Sequence, residues 1–161
     1  MSATAHRSEA QPQDARTRWD RALKVSALAY LIGFSAHGAD HVARGLDGTP
    51  DATFWAGTIG LVPATIAVGL VFAGHRFAAP YAVFVGLFAA IGASLVHFPG
   101  DWSTFSEPWR GGTSTLDGSS VSVADWATLI AMIAGAFAFA VFGALAAREA
   151  RQPPVALALE R

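Results

Sequence analysis

The chain has 161 residues, of which 53% are hydrophobic and only 14% charged, with a positive mean hydropathy. A soluble domain carries about 25% charged residues, so the deficit points to a membrane protein. A net charge of −1 excludes a basic nucleic-acid footprint, and the absence of cysteine excludes disulfides, thiolate metal sites and cysteine nucleophiles.

In chain order, residues 1–18 are polar and are expected to form a disordered cytoplasmic tail. Four segments are then long and apolar enough to cross a bilayer, which takes roughly 20 residues at 1.5 Å each. They run over about 22–43, 54–74, 77–98 and 124–147. The first keeps Lys24 at one end and Asp40 and His41 at the other, while the interiors of the other three carry no charge. Thr49-Pro50-Asp51 reads as an N-cap, a first-turn proline and an acidic first turn opening span two. Pro63 should kink that span. His75-Arg76 is so short a link that spans two and three should form an antiparallel hairpin. Between spans three and four lies the longest loop, with its low-complexity GGTSTLDGSS stretch. Ser122 to Asp125 fits a capping box opening span four. Residues 148–161 form a second short tail.

The expected architecture is therefore an all-α membrane protein, with four transmembrane helices in an antiparallel bundle. Arg7, Arg16, Arg18, Arg21, Lys24, Arg76, Arg148, Arg151 and Arg161 fall on one side, and only Arg44 and Arg110 on the other. The excess of basic residues marks the cytoplasmic side, so both termini should be cytoplasmic and the two longer loops should face outward, in a bacterial plasma membrane. Trp55, Trp102, Trp109 and Trp126 fall on the outer side and Trp19 on the inner, as expected of an interfacial belt.

The polar end of span one carries the chemistry. In SAHGADHVARG, His37, Asp40, His41 and Arg44 share one helical face, continued inward by Gly33, Tyr30 and Ser26. Ionisable groups at membrane depth face a bundle interior or a watery cavity. Span three offers a matching face of His97, Ser94, Ala93, Ala90 and Gly86, whose small residues should let it approach span one closely. His41 and His97 both lie about 20 residues from the inner ends of their spans, near the outer boundary of the hydrocarbon. Histidines at i and i+4 can chelate one ion, and a third from another helix completes a three-histidine set. His37, His41 and His97 are thus candidate metal ligands. Asp40, three residues after His37, is the candidate second-sphere partner that would orient its ring. Asp101 and Asp125 are further candidate ligands or bases, and Trp102 and Trp109 a candidate cover.

Three functions fit these residues. One is a structural or accessory membrane subunit, in which the histidines form a hydrogen-bonded lock worth about 1 kcal/mol or less per contact. Another is a divalent-metal protein holding zinc or copper, on which a metal-dependent hydrolase could be built. The third is a b-type haem protein, with the macrocycle held between His37 or His41 and His97. The expected partners are the lipid bilayer and a membrane-protein partner or second copy of the chain, with no nucleic acid. No P-loop, dinucleotide fingerprint, GxSxG elbow or HExxH motif is present.

Overall fold

The computed structural model describes residues 13–44, 49–100, 102–110, 113–114 and 120–151. These residues form four α-helices: α1 (Gln13–Arg44), α2 (Asp51–Phe72), α3 (Ala78–His97) and α4 (Val123–Glu149). The only strands among them are β1 (Trp109–Arg110) and β2 (Thr113–Ser114), which pair antiparallel with Trp109 opposite Ser114. The fold is otherwise all-helical. α1 begins at Gln13, so it includes part of the stretch expected to lack structure.

Among the described residues, α2, α3 and α4 are long and apolar enough to cross a membrane. α1 is longer than any of them, but His37, Asp40, His41 and Arg44 dilute the apolar character of its C-terminal end. Side-chain sizes are distributed as in a protein surrounded by lipid. Large residues such as Ile32, Ile59, Phe84, Phe88, Ile91 and Phe137 are exposed, while alanines fill much of the core. Lipid is as apolar as leucine, so helix association depends on close packing rather than on hiding large side chains.

That close packing centres on α4, which lies against both α1 and α3. A Cβ added at Gly135 would lie 2.9 Å from the backbone of Tyr30, and one at Gly33 would lie 2.8 Å from the backbone of Met132. These two glycines bring α1 and α4 into backbone contact. On the other flank, a Cβ at Gly86 would lie 2.5 Å from the Ala136 carbonyl. The small face of α3 therefore meets α4, not α1 as its pattern suggested. Tyr30 is buried in the resulting core and stacks on Phe139, with ring centroids 5.7 Å apart.

Local signals set several of the boundaries. α2 stays helical through Pro63 and ends at a left-handed glycine, Gly74, with φ +62°. The His75 N–H donates to the Leu70 carbonyl and the Gly74 N–H to that of Val71, the paired bonds of a Schellman ending. The capping box at α4 forms as expected: the Ser122 N–H donates to Asp125 Oδ2 at 2.6 Å, and the Asp125 N–H to Ser122 Oγ at 3.3 Å. The cap expected at Thr49 does not form. Pro50 takes the N-cap position of α2, and the Thr49 hydroxyl is turned to His41 instead.

Candidate metal centre

α1 supplies His37 and His41 from successive turns of one face, and α3 supplies His97 from its last turn. α3 packs along α4, and His97 at its end lies across from the C-terminal end of α1. The three Nε2 atoms converge: His37 Nε2 is 3.2 Å from His97 Nε2 and 3.2 Å from His41 Nε2. His37 and His97 are buried, and only 12% of the His41 side chain is exposed. Sixty residues of sequence separate His37 from His97.

The nitrogen on the far side of the ring fixes the tautomer of one of these histidines. His97 Nδ1 is 3.1 Å from the Glu107 backbone carbonyl, which can only accept, so Nδ1 carries the proton and Nε2 is a bare lone pair. His41 Nδ1 lies 2.9 Å from Thr49 Oγ1 and 3.5 Å from Glu107 Oε2. Arg44 Nη2, which can only donate, lies 3.3 Å from the same nitrogen, and the Thr49 hydroxyl can donate or accept, so these contacts leave the His41 tautomer open. His37 Nδ1 is buried without a hydrogen-bond partner among the described residues.

Hydrogen bonding alone does not satisfy this arrangement. With neutral rings, His97 Nε2 has no proton to give, and the two 3.2 Å contacts of His37 Nε2 cannot both be ordinary hydrogen bonds. One cation satisfies all three lone pairs together. Zn–N bonds of about 2.0–2.1 Å at tetrahedral angles place ligand nitrogens roughly 3.3–3.4 Å apart, close to the two observed separations. The same closeness leaves no slot for haem: axial histidines stand on opposite faces of a flat macrocycle, whereas these rings meet nitrogen to nitrogen.

The charged surroundings are built around Arg44 and Glu107. Arg44 Nε is 3.2 Å from Asp40 Oδ2 and 3.9 Å from Asp125 Oδ1, and Nη1 is 3.6 Å from Glu107 Oε1. Its Nη2 also lies 3.3 Å from His41 Nδ1. Asp40, expected to orient His37, bonds to Arg44 instead, because one further helical turn brings the guanidinium alongside it. Asp125 serves as both helix cap and Arg44 partner. Asp101 lies outside the described residues.

Glu107 was not singled out by the sequence as a site residue, and Thr49 was read only as a helix cap. Glu107 is fully buried, with Oε1 accepting from Trp109 Nε1 at 3.2 Å and Oε2 unpartnered by any hydrogen bond. Burial pushes its carboxyl up to about 7, against the pull of the Trp109 hydrogen bond and the Arg44 charge. Its only sequence signal is an acid set among apolar and proline residues in Phe105-Ser-Glu-Pro-Trp109, a weak one. Trp109 is buried against the histidines rather than placed in an interfacial belt, whereas Trp102 stays exposed. Comparison with protein-family models, curated proteins and solved structures finds no match for this chain.

Proposed function

We propose that this chain is a four-span membrane protein that holds one divalent transition-metal ion, zinc or copper, between His37, His41 and His97. α1 serves as the first span despite its polar end, because that end faces protein rather than lipid. The basic residues around the spans favour cytoplasmic termini, an antiparallel bundle and a metal centre near the outer surface of the cell membrane.

The observation that carries this reading is the meeting of three Nε2 atoms, that of His97 left bare by the bond its Nδ1–H makes on the far side of the ring. Histidine ligands characteristically donate their second ring N–H to a carbonyl or carboxylate, as His97 does to Glu107. Charge supports a dication. With the carboxyls ionised, Asp40, Asp125 and Glu107 bring three negative charges to within 4 Å of the single positive charge of Arg44. The three imidazoles add none when neutral, so a 2+ ion neutralises the remainder.

Element analysis of the detergent-purified full chain, with Zn2+ and Cu2+ titrations of the metal-stripped protein, tests the proposal. One equivalent should bind to the wild type and none to His97→Ala. If the wild type binds neither ion and His97→Ala lowers only the melting temperature, the histidines are a hydrogen-bonded lock and the chain a structural or accessory subunit.

A further inference from the structure

The candidate ligand imidazoles come from helices, but the ring packed beside all three comes from the segment between α3 and α4. Trp109 has its ring centroid 4.4 Å from that of His97, 5.9 Å from His37 and 6.4 Å from His41. No other tryptophan, tyrosine or phenylalanine ring among the described residues packs on all three imidazoles. Trp109 is only 4% exposed and packs with Ala93, Val121, Leu129 and Met132 in one buried apolar cluster.

The indole is held from several directions. Its N–H donates to Glu107 Oε1 at 3.2 Å, its ring meets Trp126 edge-on at 5.2 Å, and the Arg44 guanidinium lies 4.9 Å from its centroid. The loop that carries it is fastened to the end of α3. The Glu107 N–H donates to the Val96 carbonyl at 2.9 Å, and Trp102 Nε1–H to the Leu95 carbonyl at 2.7 Å. A third tie reaches α2, where the Thr53 hydroxyl donates to the Phe105 carbonyl at 2.6 Å.

Three imidazoles leave a four-coordinate ion with one further position, which catalytic zinc sites keep open to water. We infer that the Trp109 indole covers that position, so that this centre holds its ion shut off from water and small anions and does not activate water for hydrolysis. The inference rests on the metal reading above. It assigns the ring a positioning role: an indole packed beside three ligand rings excludes a competing ligand, and its one polar atom is already bonded to Glu107. Ion exchange then requires the segment around residues 102–110 to lift away from the ends of α2 and α3.

Co2+ in the full-length, detergent-purified chain is the probe, because its visible bands report coordination, and azide is the small anion. In the wild type, azide in large excess should leave the bands unmoved. In Trp109→Ala, azide should shift them saturably, and a chelator should strip Co2+ about tenfold faster or more, the scale on which residues around a metal's ligands act. Trp109→Phe keeps a ring and guards against misfolding of the alanine variant. Co2+ should quench tryptophan emission strongly in the wild type and much less in Trp109→Phe. Azide shifting the wild-type bands as readily as those of Trp109→Ala, or equal quenching in the wild type and Trp109→Phe, would overturn the cover. A folded wild type that shows no Co2+ bands at all would instead overturn the metal reading, and the cover with it.

Discussion

Glu107 meets two of the three histidines with different parts of one residue: its backbone carbonyl accepts the His97 Nδ1–H at 3.1 Å, and its carboxylate lies 3.5 Å from His41 Nδ1. One residue outside α1 and α3 thereby adjoins imidazoles from both helices. Asp40, expected to orient His37 from within α1, instead accepts from Arg44 Nε.

Glu107→Gln should weaken Zn2+ or Co2+ binding by roughly 10–100-fold, the usual effect of removing a carboxylate behind a ligand histidine. Asp40→Asn should have a smaller effect, because the Asp40 carboxylate bonds to Arg44 and not to a histidine. Metal titrations of both variants beside the wild type provide the check. A larger loss in Asp40→Asn would restore Asp40 as the orienting group.

The same Glu107→Gln variant carries a pH signature in the metal-free protein. Burial raises the folded-state pKa of Glu107 to about 7, so the fold favours the protonated carboxyl. For an acid, that disfavours the folded state increasingly as pH rises from the unfolded pKa toward the folded one, and levels off above it. Glutamine removes this cost. The melting temperature of Glu107→Gln relative to wild type should therefore rise between pH 5 and pH 8. A relative fall over that range would show that the ionised carboxylate stabilises the metal-free fold.

Packing around α4 gives a test that involves no metal. Gly135→Ala forces a methyl against the Tyr30 backbone and should destabilise the fold by about 1–3 kcal/mol, the usual cost of overpacking. Gly69→Ala is the control, since a Cβ there meets nothing within 4 Å. Thermal melts in one detergent should separate the two. Equal midpoints would mean that the α1–α4 contact is looser than its backbone distances indicate.

Orientation is tested on intact cells. A cysteine at the exposed Ser120 should react with an impermeant thiol reagent, and one at the exposed His75 should not. The opposite labelling would place the histidine centre on the cytoplasmic side.

The sequence by itself determined that the chain is helical and suited to membranes, because span length and hydropathy depend only on local composition. It also picked out His37, His41 and His97, because helical periodicity and equal depth are countable along the chain. The capping box at Ser122–Asp125 was legible for the same reason: its two bonds join residues three apart. Tertiary structure decided which partners those residues found. The small face of α3 could have packed on any neighbouring helix, and only the fit of Gly86 against Ala136 and Ala140 sends it to α4. Asp40 had both His37 and Arg44 within helical reach, and the choice depended on where Arg44 met Glu107 and Asp125. Glu107 and Trp109 carry no periodic signal, since they lie in a loop whose path is set by bonds to the ends of α2 and α3. Its closure over the histidines brings a carboxylate and an indole to nitrogens whose own helices do not supply them.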